Sequence, residues 1–267
     1  RQSTFIRRWS SQSIINAMNL QPLGQYCLEE HLSSNRVAEM YRAYDMVRKR
    51  VVFLHIIKAS ALTDETEMRR LRQQAQAAAE LVHPRLAWVW EIGEDKGQHY
   101  IVERYVSGPT LAQRLAEFKP LSWEEAIEAT MQLAQGLDFA HSRGWVHGAA
   151  TPENIYLSAE LGAVLSGLAL SGLTIQNLIE EETEVERIQR ARYLAPEIWQ
   201  GQPLSAASDQ YALACILVEM LTGKPLFDGA SVEEIRAQHL SALKLPHTWP
   251  PGTPWQIELA LERALAQ

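Results

Sequence analysis

The run that most constrains this chain is Ser208-Asp209-Gln210-Tyr211-Ala212-Leu213-Ala214-Cys215-Ile216-Leu217-Val218-Glu219-Met220-Leu221-Thr222-Gly223. It is apolar nearly all round at helical spacing and stops at a glycine, which readily takes left-handed backbone at a helix end. A helix of that kind is buried on every side, so the elements around it must wrap it. Upstream the pattern differs. Residues 26–57 hold short β-like runs, at 38–43 and the strongly apolar 51–57, separated by polar turns, and predict a small sheet. Two more strands are expected at 87–94 and 98–106 around Gly97, and a helix at 60–82 stopped at His83-Pro84. The rest is largely helical. Ser122-Trp123-Glu124-Glu125 is a capping-box pattern opening a helix to His141, with Ile127, Met131, Ala134, Leu137 and Ala140 on one face. Ser231 caps another to about Leu243, and Pro254 begins a last one ending at Gln267.

Composition narrows the function classes. A chain of 267 residues, 46% hydrophobic and 21% charged, suits one large or two small lobes with a real core, which excludes disorder over most of its length. A net charge of -7 argues against nucleic acid, whose phosphates need a basic face. Cys27 and Cys215 lie far apart, in strand-like and buried-helix contexts, and read as packing thiols in a reducing compartment rather than a disulfide or metal site. No apolar run approaches the ~18 residues of a membrane span, and the start lacks a signal-peptide core. The expectation is a soluble, cytoplasmic domain, tethered to a membrane only through a region outside this chain. Residues 1–22 form a tail or linker. Its first twenty residues carry three arginines and no acids beside Phe5, Ile6, Trp9, Ile14, Ile15 and Met18. They are either ordered against a neighbour or an amphipathic segment that contacts a partner or a membrane surface.

The chemistry centres on His147-Gly148-Ala149-Ala150-Thr151-Pro152-Glu153-Asn154-Ile155. This frame resembles the catalytic loop His-Arg-Asp-x-Lys-Pro-x-Asn of the bacterial eukaryotic-like (Hanks-type) Ser/Thr protein kinases. The resemblance runs from about Leu23 to Gln267 in ordered segments: a first hairpin, a helix ending in His-Pro, a hinge at 100–108, the loop, Ala195-Pro196-Glu197 and the central helix with Asp209. It implies a bilobal α+β fold, with a small β-rich N-lobe carrying one helix at 23–105 and a larger helical C-lobe at 106–267. In the family the lobe continues and supplies an arginine to the Glu197 slot. Either it is cut here or Glu197 finds another partner.

The resemblance also implies where the chain departs. The family's phosphate-binding lysine falls at His55 and the glutamate that pairs with it at Gln74. The proton-accepting aspartate falls at Ala149, the loop lysine at Thr151 and the metal-binding aspartate at Gly167. Ser33, Asn35 and Ala38 take the three glycine slots of the phosphate-covering loop, where a Cβ stands in the way. Glu103 takes the position at the back of the adenine pocket, where a carboxylate needs a partner, and a hydrogen bond to His55 is expected. Lys58 lies three positions past His55, an odd offset that turns it to the other face of a strand.

These departures imply a degenerate member, a pseudokinase and not an enzyme. Its vestigial pocket is Ser33, Asn35, Glu103 and Asn154, no cofactor or metal is expected, and ATP and Mg²⁺ are given no part. The charged stretch from Glu180 to Arg192 reads as a solvated flexible loop or a docking surface for a protein. The first function expected is a protein-binding scaffold or allosteric regulator in signalling. The alternatives are a nucleotide or small-ligand sensor without phosphotransfer, and a weak kinase using displaced residues, Lys58 and Asn154. The cleft between the lobes is either filled, by side chains such as Phe53, Glu103 or Leu168, or open.

Overall fold

Alternation in the first third of the chain builds one antiparallel sheet. In the computed structural model, which describes residues 22–35, 37–61, 65–118, 120–170, 183–246 and 248–266, its strands are β1 (Tyr26–Ser34), β2 (Ala38–Asp45), β3 (Arg50–Ile57), β4 (Val89–Asp95) and β5 (Gln98–Arg104), in the order β1-β2-β3-β5-β4. Lys96 and Gly97, at φ of 51° and 78°, make the tight β4–β5 turn whose twist suits a two-residue hairpin. One sheet face takes helix α1 (Glu65–Ala78), whose Leu71, Ala75 and Ala78 pack on Val37, Ile57, Val89 and Ile101.

The second lobe wraps the apolar run, as its pattern requires. Helix α6 (Ala206–Thr222) is buried on nearly every side and ends at Gly223, whose φ is 72°. Around it lie α2 (Leu111–Phe118), α3 (Trp123–His141), the β6–β7 hairpin (Ile155–Ser158, Gly162–Leu165), α4 (Glu184–Ala191), α5 (Pro196–Trp199), α7 (Val232–His239) and α8 (Trp255–Ala264). The lobes meet through backbone: the Ala87 amide donates to Leu165 O at 2.8 Å, and the Leu165 amide to Arg85 O at 2.9 Å. Glu197 does find a partner, since the Ser208 hydroxyl donates to its carboxylate at 2.7 Å.

Four expectations need correction. Helix α1 stops at Ala78 because the chain tightens into short-range turns through Leu81 before the proline, which disfavours helical backbone in the residue ahead of it. Helix α3 keeps its capping box, but its buried face is Ala126, Ala129, Leu133, Gly136, Leu137 and Ala140, while Met131 is 60% exposed. Small residues set that face: a Cβ on Gly136 would lie 3.1 Å from the Cβ of Arg85. The part of the charged stretch that is described is no loop. Thr183 and Glu186 form a capping box that opens α4, and its far end, Arg190 and Ala191, is buried. The helices after Ser231 and Pro254 end at His239 and Ala264, earlier than expected. Residues 1–21 and 171–182, with the tail and part of the acidic run, lie outside the described residues. Among the described residues no helix is long and apolar enough to cross a membrane.

A buried histidine gives this lobe a pH dependence. The Tyr211 hydroxyl donates to His239 Nδ1 at 2.8 Å, and His239 Nε2 donates to the Ala191 carbonyl at 2.8 Å. Burial pushes the ring's pKa down to about 4. An unfolded histidine titrates near ~6.5, so as pH falls below that value the unfolded chain takes up a proton that the folded chain refuses. Stability present above pH ~6.5 is therefore lost on acidification, by about 3 kcal/mol at most from this group. His239→Gln is expected to flatten the fall in urea-unfolding free energy between neutral and mildly acidic pH.

Candidate functional site

The two lobes enclose a cleft with a cavity of about 340 Å³. Its roof is the β1–β2 hairpin and β3, its floor the stretch from Ala149 to Asn154, and its outer wall α4. Ser33, Asn35, His55, Ala149, Thr151, Asn154 and Gly167 all line it, so residues far apart in sequence come together. Glu103 sits just behind the lining, fully buried. Gln74 stays outside: on α1 its Oε1 is buried and makes no hydrogen bond.

Local bonding shows how each group is held. Asn35 closes the hairpin tip, its Oδ1 accepting from the Val37 and Ala38 amides at 2.9 Å each. Lys58, one residue past β3, donates from Nζ to Ser34 Oγ at 2.8 Å, which ties the hairpin to the strand's end. On β3, residues 53 and 55 share the cleft face, with Met40 paired opposite His55 and Glu103 opposite Phe53. His55 Nε2 lies 3.1 Å from Glu103 Oε2, an ion-pair distance. The direction is wrong for the expected hydrogen bond, because Nε2 and Glu103 Oε1 are both without hydrogen-bond partners. Glu103 Oε2 instead accepts from the Gly167 amide at 3.3 Å.

On the floor, the buried carboxylate of Asp209 accepts from the amides of His147 at 2.8 Å and Gly148 at 2.6 Å, and from His141 Nε2 at 2.7 Å. Asn154 spends both ends of its side chain on its own loop, donating to Ala149 O at 2.7 Å and accepting from the Thr151 amide at 3.0 Å. The His147 ring is wholly buried. Nδ1 accepts from the Ala149 amide and Nε2 donates to Ser166 O, while desolvation lowers its pKa despite Asp209 nearby. Ala149 presents only a methyl, and Gly167 turns at φ 85° with no side chain.

The open cavity carries mixed charge. Among its described lining residues Arg190 is the permanent cation, and Glu153 and Glu186 are carboxylates. No group of three or more His, Cys, Asp or Glu that could hold a metal is found among the described residues. Of the side chains expected to fill the cleft, Phe53 and Glu103 are buried and do not line the open cavity, whereas Leu168 packs into the core of the helical lobe.

Sequence reading missed Tyr156. From β6 its ring meets Phe53 at 4.9 Å between centroids, and Phe53 also meets Tyr105 edge-on at 4.9 Å. Burial raises the Tyr156 phenol's pKa further, with Glu103 adding to it. The signal was its place two residues after Asn154, in the strand that follows the loop.

Comparison with known proteins agrees with this architecture. The protein kinase domain family matches residues 26–262. Serine/threonine-protein kinase PknE of Mycobacterium tuberculosis is 30% identical over 245 residues, covering 91% of this chain and 43% of that protein. PrkC of Bacillus subtilis is 30% identical over 246 residues, covering 91% and 38%. PknB of Mycobacterium tuberculosis is 33% identical over 228 residues, covering 83% and 36%. The chain thus spans less than half the length of these relatives. The crystal structure of the PknI kinase domain of Mycobacterium tuberculosis shares the fold, with a TM-score of 0.65 at 24% identity over 92% of this chain and 89% of that one.

These relatives correct two expectations, that the chain is not an enzyme and that ATP and Mg²⁺ have no part. Proteins at 30% identity over nine tenths of the chain are named Ser/Thr protein kinases. A slot read from sequence tells which side chain is missing at one place, not which charges neighbouring places supply.

The Asp209 carboxylate has a direct test. Asp209→Ala leaves the His147 and Gly148 amides and the His141 ring without their acceptor and is expected to cost roughly 3–5 kcal/mol in urea unfolding. Asp209→Asn, which keeps one acceptor oxygen, should cost less.

Proposed function

We propose, from the premise that this chain belongs to the protein kinase family, that it is a signalling domain whose main output is the binding of a protein partner. The observation that carries this reading is the use made of Asn154. Its side chain closes its own loop at both ends, while Ala149 beside it offers a methyl where the family's aspartate would stand. On this proposal His55, Gln74, Ala149, Thr151 and Gly167 are substituted slots, and the loop is a structural joint held by Asp209. The bonds that hold the loop are made, from Asp209 to the His147 and Gly148 amides and at both ends of Asn154, whereas the groups that would grip a triphosphate are few.

Phosphoryl transfer, the activity in the relatives' names, is the second reading, and Lys58 is the observation that favours it. Its ammonium already rests on Ser34, in the hairpin over the cavity. Released from that hydroxyl, it is a candidate for a phosphate-pairing cation.

One assay separates the two. Transfer of labelled phosphate from ATP, with Mg²⁺ or Mn²⁺, is measured for the chain and for Lys58→Ala. Label that disappears in Lys58→Ala makes phosphoryl transfer the output. Label in both makes transfer the output through groups other than Lys58, and label in neither leaves protein binding as the reading, which then predicts a saturable one-to-one protein complex that excess ATP does not displace. A melting-temperature rise with ADP alone would instead favour a nucleotide sensor.

A further inference from the structure

Helix α3 is apolar on two sides. One is the buried face described above. The other is an outer ridge where Trp123, Ile127 and Met131 follow at i, i+4 and i+8, the spacing that sets side chains one above another on a helix. Trp123 and Ile127 are half-buried against the core of the helical lobe, and Met131 is 60% exposed. A depression of about 410 Å³ follows this ridge, lined by the same three residues with Arg85, Glu124 and Glu128. A second, of about 420 Å³, shares Met131 and Gln135 with the first and continues to His141. Together they form a groove along nearly the whole helix, ~28 Å at 1.5 Å per residue.

The rim of the groove is acidic. Glu124 and Glu128 are exposed beside Ile127, and Asp138 is exposed toward the far end. Arg85, the one lysine or arginine in its described lining, already donates to the Leu161 carbonyl. An occupant that fits therefore carries aromatic or aliphatic side chains next to positive charge. The chain holds such a segment in Phe5-Ile6-Arg7-Arg8-Trp9, and no Asp or Glu occurs before Glu29. Its reach is sufficient. The Gly24 amide donates to Asp95 Oδ2 at 3.0 Å, which fixes the start of the sheet at the β4–β5 turn. From Asp95 to Arg85 the chain path is ten residues, at most ~35 Å, whereas residues 10–21 span up to ~42 Å when extended.

We propose that Phe5-Ile6-Arg7-Arg8-Trp9 seats in the α3 groove of its own chain, with Phe5, Ile6 and Trp9 on the ridge of Ile127 and Met131 and the two arginines at Glu124 and Glu128. Arginine suits this place because its stem packs on apolar side chains while its guanidinium reaches a carboxylate. The result is a strap that ties the sheet to the helical lobe and makes the first residues part of the domain.

The test is photo-cross-linking of the full chain carrying p-benzoylphenylalanine in place of Trp9, with the products mapped by mass spectrometry. The expected product joins residue 9 to residues 123–135 within one chain. Its yield should fall at least tenfold in Glu124→Lys/Glu128→Lys and return when Arg7→Glu/Arg8→Glu is added to that variant. Met131→Gln, at a position already exposed, removes apolar contact without touching charge and should lower the yield as well. Should the charge variants fail to fold, Met131→Gln decides alone. Cross-links mainly to other elements, no cross-link, or a yield indifferent to these changes would overturn the strap. A product that joins two chains at the same place would also overturn it, since the groove would then take the segment of a second copy.

Discussion

The buried carboxylate of Asp209 is the constraint on which the cleft's geometry depends. Taking a charge out of water costs several kcal/mol unless donors surround it. Three do, the His147 and Gly148 amides and the His141 ring, and they fix the end of α3 and the start of the loop against α6. From there a chain of polar contacts crosses the molecule. Asn154 holds Ala149, the Ser166 amide donates to Asn154 O, the His147 ring donates to Ser166 O, and the Gly167 amide reaches Glu103 on the sheet. The position of the N-lobe sheet over the floor is thus coupled, bond by bond, to a carboxylate in the middle of the helical lobe.

A second tie is apolar and follows a different path. Phe53, Tyr105 and Tyr156 bring sheet, connection and hairpin into ring contact. Such pairs contribute about 0.5–1.5 kcal/mol beyond their burial. The polar path tolerates little motion, since each donor has one acceptor at short range. Ring contacts are softer, and the Met40 thioether beside them can repack. Between them the two ties leave the outer half of the cleft open and the inner half filled.

Much of this was legible in residues. The apolar run gave a central helix ending at Gly223, β-like runs placed the four strands β2 to β5, and the capping box at Ser122 and Glu125 set the start of α3. Seven of the nine residues singled out for the site line the cavity. What failed has physical causes. The buried face of α3 is chosen by Ala129 and Gly136, where small size permits close approach, and a reading weighted to bulky side chains looked at Met131 instead. Residues 184–191 looked like a charged loop because a polar composition hides an amphipathic helix. His55 and Glu103 were expected to pair by hydrogen bond, and they meet without its direction, which no pattern of residue types encodes. Tyr156 escaped because an aromatic in a short strand reads as ordinary core until its partner across the cleft is known.

Membership in the kinase family and the substituted slots bear on the same question through electrostatics. A polyphosphate entering the cavity meets Glu153 and Glu186 against Arg190, with Glu103 behind. Two unit charges 4 Å apart interact by about 4 kcal/mol at an effective dielectric of 20, so carboxylates in or behind the lining oppose a polyanion. A bound divalent cation would reverse that sign, and so would Lys58 if it left Ser34. Lys58 and Ser34 belong to the same lobe, so the ammonium can leave the hydroxyl by side-chain rotation alone, without moving the sheet relative to the floor.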